Sequence, residues 1–92
     1  MEKVSYDKTE KTATVTLTLD EINKLLSALY LRHDGLTDWI NESYDKIDPD
    51  TAKAGIDEIY DVRLLTRDFE YTVLDIEGHA FFRHLSQIKL PA

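Results

Sequence analysis

Residues 48–50 read Asp-Pro-Asp and divide a long helical pattern into two arms. Proline has no amide hydrogen and clashes with the helical turn before it, so no regular helix runs through Pro49. At the first position of a new helix both defects vanish, and Asp48 is suited to cap that start. The upstream helix must therefore end before residue 48, and the downstream one begins at 49. The upstream start is also marked. Thr18-Leu19-Asp20-Glu21 fits a capping box, in which Thr18 accepts from the Glu21 amide and Glu21 reaches back to Thr18. Gly78 supplies the downstream stop. The expected arms are helix one over 19–47 and helix two over 49–76. Each is about 28 residues and roughly 42 Å long at 1.5 Å rise per residue.

Gly35, after Arg32, His33 and Asp34, is the one place where helix one could end early. Cations suit a helix C-terminus and Gly suits the left-handed residue beyond it. Against that, Ile22, Leu25, Leu26, Leu29, Leu36, Ile40, Tyr44 and Ile47 lie on a single stripe at about 100° per residue, and the stripe keeps its phase across Gly35. The pattern predicts one continuous helix with Gly35 on its exposed side.

Before the helices, Ala13, Val15 and Leu17 alternate with Thr12, Thr14, Thr16 and Thr18, and Val4 and Tyr6 alternate with polar neighbours across an Asp7-Lys8-Thr9-Glu10 turn. A period of two is that of a half-buried strand, so residues 3–18 predict a β-hairpin. A lone hairpin is marginal in water, so this one must pack on helices or join the strand of another chain. Residues 79–90 predict a short amphipathic helix or a strap, with Phe81, Phe82, Leu85 and Ile88 turned inward. The fold class is α+β, mainly α, in a single domain over residues 1–92.

Helix two carries more apolar surface than a helical hairpin can cover. Ala52, Ile56, Ile59, Val62, Leu65, Phe69, Val73 and Ile76 form a broad arc, extended by Tyr60, Leu64, Tyr71 and Leu74. A helix apolar nearly all round sits centrally in a bundle. Association completes such a bundle most simply, and a homodimer through Tyr60, Leu64, Tyr71 and Leu74 is the expectation. The remaining arc is acidic: Asp50, Asp57, Asp61, Asp68 and Asp75 span about 38 Å at helical rise. Asp38, Glu42, Asp45 and Glu58 add to it.

Net charge is −7, and residues 38–77 hold twelve of the 18 acids against four of the 11 bases. Such a chain is repelled by phosphate backbones and by anionic membranes, so neither nucleic acid nor membrane is the expected partner. A row of carboxylates instead suits a protein with a basic groove, which it would occupy as a mimic of DNA; the bland alternative is a solvated helix face. There is no cysteine, no apolar leader and no run long enough to cross a bilayer, which predicts a cytoplasmic protein.

Chemistry finds little purchase. No Gly-rich phosphate loop or nucleophile elbow surrounds Ser5, Ser27, Ser43 or Ser86. His79 and His84 are off a common helical face, and His33 with Asp34 and Thr37 is a poor ligand set. No catalytic residue, cofactor or metal is expected. His33, at the centre of the helix-one stripe, reads as a core-edge histidine with one ring nitrogen on a carboxylate or water.

The segment TVTLTLDEINKLLSALYLR, residues 14–32, resembles the start of many small acidic accessory proteins of phages and other mobile elements: a Thr-rich strand, then a capped, Leu-rich helix. The resemblance implies an inhibitor of a host nucleic-acid-binding enzyme. The alternative is a dimeric ribbon-helix-helix regulator or antitoxin. Residues 12–46 read strand, helix, helix, and Thr12, Thr14 and Thr16, flanked by Lys8 and Lys11, would face the bases. The acidic charge, the preceding strand and the helical chain after residue 48 count against it.

Overall fold

The computed structural model describes residues 1–91. Strands β1 (Glu2–Asp7) and β2 (Thr12–Thr16) form an antiparallel hairpin, followed by helices α1 (Leu19–Ser43) and α2 (Pro49–Glu77). Residues 79–91 form a strap without helix or strand.

The expected caps are all present. Thr18 and Glu21 make the reciprocal capping box, Asp48 accepts from the Thr51 amide ahead of Pro49, and Gly78 closes α2 in a left-handed conformation at φ 77°. Helix α1 passes through Gly35 without a break. It stops at Ser43, four residues short of the expected end. The reason lies in the turn: the Lys46 amide bonds the Ser43 carbonyl at 2.8 Å, tightening the last turn so that the chain can reverse into the extended Asp48 cap.

The two helices pack against each other along Ile22, Leu26 and Ile40 of α1 and Ala52, Ile59 and Val62 of α2, with Leu85 of the strap added. The middle of this seam is polar. His33 and Thr37 of α1 and Thr66 and Glu70 of α2 are each at most 1% exposed. The buried line of α2 therefore runs through Thr66 and Glu70, whereas Leu65 and Ile76, expected in the core arc, are exposed. Leu25 of the α1 stripe is exposed as well.

The strap is not the amphipathic helix that would turn Phe81, Phe82, Leu85 and Ile88 inward together. The backbone amides of Arg83, Ser86 and Lys89 donate to Glu70, Asp34 and Asn41, so they are not available to helical carbonyls. With the helical period lost, Leu85 is buried and Ile88 half-buried, while Phe81 is 84% exposed and Phe82 is exposed.

The strands stand apart from the helices, and the Met1 amino group ahead of β1 bonds the Glu21 carboxylate of α1. Neither strand comes within 8 Å, Cα to Cα, of either helix, and every residue of both strands is exposed. Asp7 organises its turn, its carboxylate accepting from the amides of Thr9 and Glu10 at 2.9 and 3.1 Å. Of the two fates the sequence allows for a marginal hairpin, packing on its own helices is not the one adopted.

Candidate protein-binding face and the polar seam behind it

The orientation of α2 is fixed by what it buries. At about 100° per residue, Ala52, Ile59, Thr66 and Glu70 define its inner line, and Asp50, Asp57, Asp61, Asp68 and Asp75 fall on the opposite side. All five aspartates are exposed, so one row of carboxylates runs down the outer surface. Only Asp57 among them has a cationic partner, Lys53 at 3.6 Å, and that pair is itself solvent-exposed.

Tyr60, Leu64 and Tyr71 lie along one flank of the row and are 49%, 66% and 57% exposed. Leu74 is half-buried. The expected association surface is thus partly covered within the chain. The Tyr71 ring meets Phe82 of the strap edge-on, with centroids 5.0 Å apart. Tyr60 is steadied by the Arg63 guanidinium, 5.3 Å from its centroid. Leu64 has the most open side of the three.

Behind this face, the seam between the helices is held by two buried polar hubs. The Glu70 carboxylate accepts from the Tyr30 hydroxyl at 2.7 Å, the Arg83 amide at 2.9 Å and the Arg67 guanidinium. Burial first, and then the hydrogen bond to the Glu70 carboxylate, push the Tyr30 hydroxyl up to about 12, since both disfavour a phenolate there. At the second hub, the Arg63 Nε–H donates to His33 Nε2 at 3.1 Å. A guanidinium cannot accept, so Nε2 carries the lone pair and Nδ1–H donates to Asp34, also at 3.1 Å. Asp34 accepts in addition from the Ser86 amide and the Arg83 guanidinium. Partial burial of Asp34 favours its neutral form, but the hydrogen bonds from His33 and Ser86 outweigh it and hold the carboxyl below its ordinary value of 3.8. Among the described residues, every buried side-chain nitrogen and oxygen has a hydrogen-bond partner.

The hubs and Asn41 together clamp the strap. The Asn41 side-chain amide donates to the Gln87 carbonyl at 3.0 Å and accepts from the Lys89 amide at 2.7 Å. A cleft of about 350 Å³ opens beside it, between Asp38, Asn41, His84 and Lys89. One amide hydrogen and the carbonyl oxygen of Asn41 are engaged by the strap. Among the described residues, no group of three or more His, Asp or Glu side chains is placed to hold a metal ion. Among the described residues, no helix is long and apolar enough to cross a membrane.

His33 has the carboxylate contact expected of it, from Nδ1 to Asp34, but lies deeper than the core edge. Its ring is fully buried and bonded at both nitrogens, and Thr37 bonds the His33 carbonyl, not the ring. Glu70, Arg63, Tyr30 and Asn41 belong to no catalytic or metal-binding motif in the sequence. A signal existed for Glu70, which is out of phase with all five aspartates of the row and in phase with Ala52 and Ile59. Asn41 gave none, because its partners are backbone groups about 46 residues away. Comparison of the chain with family models, curated proteins and solved structures returns no match.

Proposed function

We propose that the chain is a non-catalytic protein-binding module that sets the outer face of α2 against a basic surface of a partner protein, of the kind that otherwise holds nucleic acid. The observation that carries this reading is the pairing of Tyr60 and Leu64, about half and two-thirds exposed, with Asp57, Asp61 and Asp68 alongside. A helix face that is merely solvated needs the carboxylates but not the tyrosine and leucine. Contiguous exposed apolar side chains beside polar groups are what a protein interface presents. The carboxylates would steer a basic partner, and the apolar flank would hold it once docked.

The resemblance of residues 14–32 to mobile-element accessory proteins supports the same class, an inhibitor that occupies a host protein's groove. The ribbon-helix-helix alternative is weakened by α1, which is one unbroken helix where that reading needs two. The deciding measurement compares wild type with the Asp57→Asn, Asp61→Asn, Asp68→Asn triple variant. Each is assayed at two salt concentrations for affinity to a protein captured from a host lysate, with a duplex-DNA gel shift alongside. The expected result is a weaker complex and a shallower salt slope for the variant. Equal affinities and equal slopes, or a shift of DNA by the wild type, overturn the reading.

A further inference from the structure

We infer that the free edge of β2 is an association site for a second copy of this chain, pairing β2 with β2 antiparallel into a four-stranded sheet. The starting point is energetic. A two-stranded ribbon that packs on nothing is at best marginal in water. This one is exposed along both strands and comes no nearer than 8 Å, Cα to Cα, to either helix; the Met1 amino group just ahead of β1 ties it to the Glu21 carboxylate of α1. A row of unpaired amides and carbonyls at a strand edge is a template for another strand.

The two edges are unequally protected. Strand β1 carries Glu2, Lys3 and Asp7, and its register slips at a bulge between Lys3 and Ser5, leaving Val4 unpaired. Charges and bulges are the usual means by which an edge is made unreceptive. Strand β2 is Thr12-Ala13-Thr14-Val15-Thr16, without charge, bulge, Gly or Pro, and four of its five residues are β-branched.

The sequence of β2 is also self-complementary. Two copies related by a two-fold axis through Thr14 pair all five residues: Thr14 with Thr14, Ala13 with Val15, Thr12 with Thr16. Opposed residues share a face, so the hydroxyls of Thr12, Thr14 and Thr16 form one ladder and Ala13 and Val15 meet on the other side. Threonine pairs and β-branched apolar pairs are both favourable across antiparallel strands.

Charge selects a second copy in this region over any other. Residues 1–18 hold three acids and three bases, so the whole net charge of −7 lies on the remainder. Helical bodies of two copies repel, and the neutral hairpin is the part that can meet its counterpart. Because the interface is short, association is weak. It tightens as salt rises, which is the opposite of docking between an acidic face and a basic partner.

The test is sedimentation equilibrium of the full chain from about 1 µM to about 1 mM, at low and high salt. Wild type should move from 10.6 kDa toward twice that mass, further at high salt. Thr14→Lys places two lysines across the two-fold axis and should stay monomeric. Ser5→Lys, opposite Thr14 on β1 of the same hairpin, should dimerise as wild type does. Mixing Thr14→Lys with Thr14→Glu should restore a dimer that neither variant forms alone. Circular dichroism of the monomeric Thr14→Lys variant should keep the helical content of wild type, because residue 14 lies on a strand with no Cα within 8 Å of either helix and away from the Met1–Glu21 tie. A wild-type chain that stays at 10.6 kDa throughout overturns the inference. So does loss of the dimer in Ser5→Lys, or failure of the charge-swapped pair to associate.

Discussion

Glu70 is an acid whose side chain is 1% exposed at the contact of three segments. It binds Tyr30 of α1, Arg67 of α2 and the strap amide of Arg83. Truncating one partner of a buried charged pair leaves the others unpaired, which usually destabilises by about 3–5 kcal/mol. Glu70→Ala should therefore lower the urea-unfolding free energy by about 3 kcal/mol or more, a larger effect than any single change in the aspartate row, where surface changes lie within about 0.5 kcal/mol. Tyr30 gives a second handle. Its hydroxyl is pushed up to about 12, so one of the five tyrosines should ionise late in an alkaline absorbance titration. Folding raises this value from 10, so the Tyr30 contribution to stability is complete below 10 and is lost as pH rises through about 12. Tyr30→Phe should remove the late step and leave the other four tyrosines unchanged. A titration in which all five move together would contradict the buried Tyr30–Glu70 bond.

The elements were the part most legible in the sequence, because caps and breaks are local. Thr18 with Glu21, Asp48 with Pro49, and Gly78 act through backbone groups within four residues, and all three stand where their residue types imply. The strap was legible only as apolar, since its backbone donors are taken by Asp34, Asn41 and Glu70, which no local pattern reveals. The two mid-helix glycines give a matched test. A Cβ at Gly35 meets nothing within 4 Å, so Gly35→Ala should raise stability by about 0.5–1 kcal/mol. A Cβ at Gly55 would lie 2.7 Å from the Trp39 ring, with Ile40 at 3.5 Å behind it, so Gly55→Ala should displace the indole and lower the melting temperature. The strap has its own pH limit. Hydrogen bonding holds Asp34 below its ordinary 3.8, so its contribution is complete above 3.8 and is lost as pH falls through the lower folded value. Hydrogen exchange should show the Ser86 amide losing protection in that range, and Asp34→Asn should show the same loss at neutral pH.

At the scale of the whole molecule, the chain separates a neutral ribbon from an acidic helical body, and this separation has consequences that no single residue has. Two copies of the body carry the same sign, so salt relieves repulsion within it and between copies. The screening length falls from about 10 Å at 0.1 M to about 3 Å at 1 M. Asp57 and Asp61 are one helical turn apart, an arrangement that destabilises a helix by about 0.2–0.5 kcal/mol for like charges. The Asp57→Asn, Asp61→Asn, Asp68→Asn variant also loses the exposed Lys53–Asp57 pair, which is of similar size, so it should match wild-type stability to within about 0.5 kcal/mol. It should also gain less stability from added salt, because part of the repulsion that salt screens is already gone. Thermal melts at low and high salt for the two proteins read this directly. If the variant is less stable than wild type at both salt concentrations by more than the about 0.5 kcal/mol that loss of the Lys53–Asp57 pair accounts for, the aspartates are making further favourable contacts in the free protein, and the row is not an unsatisfied surface held for a partner. If its salt dependence matches that of wild type, the repulsion lies elsewhere in the body, and Asp38, Glu42, Asp45 and Glu58 become the groups to neutralise next.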